Sequence, residues 1–136
     1  MHNPIIQALK KIVEEHKNEI FYSKTICSSY LPNWRKDQDY RKSYSSKTAE
    51  GGGVLLDLSH ELDYNQWLFG NITSINGIYG EISDLEINSE DFCDLNLSFE
   101  NNMIASIHLD YFSKYTIRKI YIFTKNIVII GDFVYK

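Results

Sequence analysis

Two runs of alternating apolar residues, Cys93, Leu95, Leu97 and Phe99, then Met103, Ala105, Ile107, Leu109 and Tyr111, lie either side of Asn101-Asn102. A period of two marks a strand with one buried face, because successive side chains point to opposite sides of the pleat. Asn tolerates positive φ, so Asn101-Asn102 suits a two-residue hairpin turn. Opposite the apolar set stand Ser98, Ser106, His108 and Asp110, so the second face of this sheet is mixed in character. This pattern commits the second half of the chain to antiparallel sheet.

The remaining elements fit around it. Ile5, Ile6, Leu9, Ile12 and Val13 form a helical stripe with Pro4 in the first turn. Residues 20–30 are rich in β-branched and aromatic types and read as a strand, as do 72–82, 116–124 and 126–135. Residues 53–69 read as a second helix, stopped by Gly70-Asn71. Residues 31–50 are polar, contain Pro32 and lack a period; an ordered loop of that length is usually functional. The expected fold is α+β: a largely antiparallel open sheet of five or six strands with two helices on one face, in a single domain spanning 1–136.

Composition narrows the function. A net charge of −4 with scattered basic residues argues against a nucleic-acid surface. Aromatic content of 14%, with ten Tyr and seven Phe, suits a sheet-rich domain with a polar, aromatic site. Cys27 and Cys93 have neither metal-ligand spacing nor a disulfide framework, and no metal site is expected. With no signal peptide and no apolar run of spanning length, the chain reads as cytoplasmic, with no membrane partner. His2, His16 and His108 have no cluster in sequence and read as structural or exposed.

The chemistry concentrates after Gly51-Gly52-Gly53. Asp57, His60 and Asp63 follow at three-residue steps, which on a helix places them near one face. A histidine flanked by carboxylates has its tautomer fixed and its basicity raised, which suits proton transfer near neutral pH. The other reading is a buried helix whose histidine is merely satisfied by its neighbours; spacing alone leaves both open.

The wider context carries a resemblance. Tyr30-Leu31-Pro32-Asn33-Trp34, then Asp39-Tyr40-Arg41, then Gly51-Gly52-Gly53-Val54-Leu55-Leu56-Asp57-Leu58-Ser59-His60-Glu61, then Gln66-Trp67-Leu68-Phe69-Gly70, occur in that order. The chain resembles the C-terminal, substrate-binding domain of the Gfo/Idh/MocA oxidoreductases, the glucose–fructose oxidoreductase and inositol dehydrogenase family, from about residue 4 to 131. The resemblance implies that His60 is the catalytic acid/base and that Asp57 shares its site. Asp57 stands three residues before His60 here but four before it in inositol-dehydrogenase-like members, so the partner of His60 stays open between Asp57 and Asp63, and Asp63 is equally readable as an exterior ion-pairing residue. The resemblance also implies that Trp34, Arg35, Tyr40, Arg41 and Tyr44 border a pocket for a sugar, sugar acid or nucleotide sugar, with Asp63 beside them. The other reading of Arg35 and Arg41 is surface neutralisation of Asp37 and Asp39.

Family members bind NAD or NADP in an N-terminal dinucleotide domain and carry a catalytic Lys in a Glu-Lys-Pro motif. This chain has neither motif, nor a Gly-x-Gly-x-x-Gly after a strand. It therefore reads as a substrate-binding and oligomerisation domain clipped at both ends relative to the family, binding no nicotinamide alone and inactive alone. The resemblance further implies a homo-oligomer through the open sheet face. The rival is a non-catalytic saccharide-binding or assembly module that keeps the pocket without turnover.

Overall fold

The computed structural model describes residues 3–33, 41, 59–87 and 89–134. Helix α1 (Pro4–Glu15) opens on an Asn3 cap whose Oδ1 accepts from the Ile5 and Ile6 amides at 2.8 and 3.3 Å. The side chain thereby satisfies donors that the helix leaves without partners, while Pro4 has no amide hydrogen to satisfy. Ile6, Leu9 and Val13 are its buried stripe.

Strand β1 (Ile20–Tyr30) follows, then a short 3-10 turn (Leu31–Asn33), helix α2 (His60–Phe69) and strands β2 (Ile72–Gly80), β3 (Phe92–Phe99), β4 (Ile104–Asp110), β5 (Phe112–Thr124) and β6 (Val128–Asp132). They form one six-stranded sheet in the order β2-β3-β4-β1-β5-β6. Only the β1–β4 pair is parallel. The expected α+β architecture is what the chain adopts.

The inner face is built by the alternation seen in the sequence. Cys93, Leu95, Leu97 and Phe99 on β3, Ala105, Ile107 and Leu109 on β4, and Ile120 and Ile122 on β5 are all buried. Register puts Ser23, Thr25 and Cys27 of β1 between Ala105, Ile107 and Leu109 on one side and Ile122, Ile120 and Arg118 on the other. Both helices pack on this face, with Leu9, Val13, Leu68 and Phe69 joining the same core. Lys10 ties them together: its Nζ donates to the Trp67 carbonyl at 2.8 Å and lies 5.3 Å from the Trp67 ring centroid.

Several boundaries differ from the expectation: β2 ends at Gly80 instead of 82, and β6 covers only Val128–Asp132 of the expected 126–135. The β3–β4 connection is a three-residue loop, Glu100–Asn102, not a two-residue turn. The Asn102 amide donates to the Phe99 carbonyl and Asn102 itself sits at φ 68°, a type I turn closed by a left-handed residue. Strand β5 starts at Phe112, four residues earlier than its pattern suggests. Here the chain rounds the end of β1, and Asp110 builds the corner: its Oδ1 accepts from the Phe112 and Ser113 amides at 3.0 and 2.9 Å. A polar corner of that kind leaves no periodic signal. The helix expected over 53–69 is observed from His60; residues 53–58 lie outside the described part.

The outer face carries no helix among the described residues. Ile78, Ile104, Val128 and Ile130 are exposed on it, interleaved with Lys24, Asn96, Ser106, Asp94 and His108. Among the described residues no helix is long and apolar enough to cross a membrane.

Candidate functional site

Helix α2 buries Glu61, Tyr64, Asn65, Leu68 and Phe69. The spacing is helical, but the first turns of the buried face are polar, which costs free energy wherever a group lacks a partner. Among the described residues Glu61 Oε2, Tyr64 Oη and Asn65 Oδ1 have none, and the other polar side-chain atoms of this face are paired. Asn65 Nδ2 donates to Thr25 Oγ1 on β1 at 3.1 Å and to the Glu61 carbonyl at 2.8 Å. Glu61 Oε1 accepts from Arg118 Nε on β5 at 2.7 Å. His60, the first residue of the helix, is half-exposed, and its Nε2 lies 2.7 Å from the same Glu61 oxygen. One fully buried carboxylate thus joins the site histidine to a core-facing arginine.

Arg118 is held from a second side. Its guanidinium carbon lies 4.7 Å from the Phe133 ring centroid, and its backbone carbonyl accepts from the Phe133 amide at 2.9 Å. Tyr64 packs against Phe133 from α2, ring centroids 5.6 Å apart. Burial, followed by the charge of Glu61, pushes the Cys27 thiol up to about 12 and the Tyr64 hydroxyl well above its ordinary value. Both groups keep their protons at neutral pH, so Cys27 is no nucleophile. Cys27 and Cys93 are free and buried.

The residues singled out in the sequence fall in three groups. His60 and Asp63 are both exposed on α2, one turn apart, as the three-residue step requires. The carboxylate that reaches His60 is Glu61, which spacing did not single out. Arg41 is exposed and pairs through NH1 with Glu86 Oε2 at 2.7 Å, in the loop between β2 and β3. Asp57, Trp34, Arg35, Tyr40 and Tyr44 lie outside the described residues.

Two signals pointed to what spacing missed. Residues 61, 64, 65 and 68 form the 1-4-5-8 pattern of a buried helix face, and Arg118 shares the strand parity of buried Ile120 and Ile122. An arginine at a core-facing strand position needs a buried acceptor.

A second cluster stands on the outer face. His108 Nδ1 lies 2.5 Å from Asp94 Oδ1, and its Nε2 lies 2.7 Å from Asp110 Oδ2. Although it has no cluster in sequence, His108 is clasped between two carboxylates, which the register of β3 on β4 and the corner after β4 bring together. His16 pairs with Glu19, its Nδ1 3.2 Å from Oε2. Among the described residues, no group of three or more His, Cys, Asp or Glu is arranged to hold a metal ion.

The family model for the GFO/IDH/MocA C-terminal domain matches residues 6–132. No curated protein gives a match. The fold is similar to the WlbA dehydrogenase from Bordetella pertussis, solved with NADH and UDP-GlcNAcA, with a TM-score of 0.76 at 20% identity over 96% of this chain and 40% of that one. It is similar to levoglucosan dehydrogenase, solved with NADH, with a TM-score of 0.80 at 17% identity over 96% and 38%. It is also similar to myo-inositol 2-dehydrogenase from Lactobacillus plantarum, with a TM-score of 0.73 at 15% identity over 95% and 39%. The chain spans about 40% of the length of these relatives. At identities this low the likeness shows the fold alone.

Proposed function

The chain belongs to the GFO/IDH/MocA family as its C-terminal domain, and from that premise we propose that it is the substrate-binding part of an NAD(P)-dependent oxidoreductase acting on a CH–OH group of a sugar, sugar acid or nucleotide sugar. The observation that carries the reading is the position of His60. It stands half-exposed at the first turn of α2 with one nitrogen held by a buried carboxylate, so the ring is oriented by the protein and still open to a ligand. In oxidation of the substrate, His60 would take the hydroxyl proton, and a bound nicotinamide would supply the acceptor for the carbon-bound hydride.

That nicotinamide has no evident seat in this part. Among the described residues no strand runs through a glycine loop into a helix N-terminus, the device that holds a pyrophosphate. A separate dinucleotide domain supplies it, and the chain alone binds no NAD(H) and turns nothing over. Asp57, Trp34, Arg35, Tyr40, Arg41, Tyr44 and Asp63 are assigned to the substrate side by resemblance. The relatives' ligands support the class: UDP-GlcNAcA in the WlbA dehydrogenase is a nucleotide sugar.

A second role is carried by the outer face. Ile78, Ile104, Val128 and Ile130 are each at least half exposed there, which points to pairing of two copies sheet to sheet. In the rival reading that assembly, or saccharide binding without turnover, is the whole function.

The decisive experiment is protein-observed NMR on the chain labelled with nitrogen-15 histidine, titrated with UDP-GlcNAcA, myo-inositol, levoglucosan and NADH. At least one saccharide should shift the His60 ring signals, and NADH should shift none. If no saccharide perturbs His60, or NADH binds at low micromolar concentration, the proposal is wrong.

A further inference from the structure

We propose that Glu61 is the positioning residue of this site: it holds His60 as the Nε2–H tautomer and leaves Nδ1 as the atom that exchanges a proton with the substrate, while Arg118 holds Glu61 in place. This inference rests on the function proposed above and deepens it.

Glu61 Oε1 accepts from Arg118 Nε at 2.7 Å and lies 2.7 Å from His60 Nε2. Arg118 has only donors to offer and keeps its charge, so the oxygen it bonds presents a lone pair toward Nε2 as well. Two lone pairs at that separation repel, so the proton between them belongs to Nε2. The neutral ring then has its acceptor at Nδ1, and a base needs an acceptor.

The placement of Glu61 is as definite as the contact. Its side chain is fully buried, and the arginine behind it is fixed by β5, by the Phe133 ring and by the Phe133 amide. Consecutive helical residues point about 100° apart, so His60 reaches its neighbour's buried carboxylate only by turning its Nε2 edge toward the sheet. Cys27 and Tyr64, which share the surroundings of Glu61, keep their protons and add no competing charge. The order strand β5, Arg118, Glu61, His60 therefore transmits the rigidity of the sheet to an otherwise half-exposed ring. Asp63, on the solvent side, is free to face the substrate.

The proton itself is observable. In the chain labelled with nitrogen-15 histidine, at alkaline pH, the His60 ring should show a protonated Nε2 bearing a downfield proton in slow exchange with water, and an unprotonated Nδ1. Loss of these signals in His60→Asn makes the assignment. In the double variant Glu61→Met/Arg118→Met, which removes the carboxylate and its counter-charge together, the slowly exchanging proton should vanish while helix content and the His108 signals persist. A proton on Nδ1 in the unaltered chain overturns the proposal, as does a protected Nε2–H that survives in the folded double variant. If the double variant fails to fold, the exchange rate of the Nε2 proton in the unaltered chain decides: fast exchange, as in free imidazole, overturns it. Adding UDP-GlcNAcA to the same sample separates the two ideas. A protected Nε2–H with no response to any saccharide sinks the functional reading and leaves the tautomer assignment standing.

Discussion

Glu61 and Arg118 are 57 positions apart in sequence and meet through a single carboxylate oxygen, Arg118 Nε donating to Oε1 at 2.7 Å. The contact fastens the first turn of α2 to β5, at the same helix turn that presents His60. Removing one partner of such a pair is far more costly than removing both, because the survivor is left charged and buried. Arg118→Met should therefore destabilise the chain by about 3 kcal/mol or more, and Glu61→Met/Arg118→Met by clearly less. Urea denaturation of the two variants and the parent measures this. A double variant no better than Arg118→Met would show that the carboxylate is stabilised by something other than the arginine.

Gly77 tests the other edge of the sheet. A Cβ placed there would lie 2.1 Å from the Asp94 carbonyl oxygen on β3. The obstacle is backbone inside a ladder, so no side chain can swing aside. Gly77→Ala should cost about 3 kcal/mol, the upper end for overpacking, or part β2 from β3 altogether. Hydrogen exchange would show β2 and β3 amides losing protection while β1 and β5 keep theirs. Uniform protection across the sheet would mean that β2 absorbs the methyl group by a local bulge.

Ile104 opens β4, one of the inner strands of the sheet, and on the outer face it is half exposed and paired in register with Tyr22. If two copies pair through this face, Ile104→Lys places a charge inside the interface. The dissociation constant should then rise by at least about tenfold, equivalent to 1.4 kcal/mol. The melting temperature extrapolated to low concentration should hardly move, because the side chain already meets solvent in one copy. Light scattering and sedimentation across a concentration series read both. A parent chain that stays monomeric at every concentration removes the assembly role.

Sheet, helices and inner face were legible because burial on one side imposes a period on the residues that face it. The alternation through Cys93–Phe99 and Met103–Tyr111 fixed which residues face the core. The stripe of Ile6, Leu9 and Val13 did the same for α1. What stayed hidden depends on groups that only the fold brings together. Glu61 gives no signal at three-residue steps along the exposed side of α2, because His60 turns inward to its own neighbour. Arg118 had no signal beyond its parity with Ile120. His108 had half of one: Asp110 shares its face two residues on, but Asp94 reaches it only through the β3–β4 register. The three-residue Glu100–Asn102 loop was missed because Asn-Asn fits either turn, and only the left-handed Asn102 decides.

The His108 cluster gives the chain a pH dependence whose sign is determined. Its hydrogen bond to Asp110 raises the His108 pKa above the ordinary histidine value; burial opposes this, and Asp94 adds to the rise. A raised pKa in the folded chain gives a contribution that is complete below about pH 6.5, the unfolded value, and is lost as pH climbs through the folded one. Asp110 behaves in the opposite sense. Burial works against its carboxylate, but hydrogen bonds from His108, Ser28 and Ser113 outweigh it and hold its pKa below the usual range. Its contribution is present above about pH 3.9, the unfolded value, and fades as pH falls through the lowered one. The cluster is therefore worth most between about pH 4 and about pH 6.5. Thermal melts across that range and up to alkaline pH should show the parent losing stability above about pH 6.5 more steeply than His108→Gln. The comparison cancels the titrating groups outside the cluster, since both chains share them. Parallel curves would mean that Asp94 and Asp110 gain nothing from the imidazolium between them, and the β3–β4 face would then owe its order to its strand pairing and apolar packing.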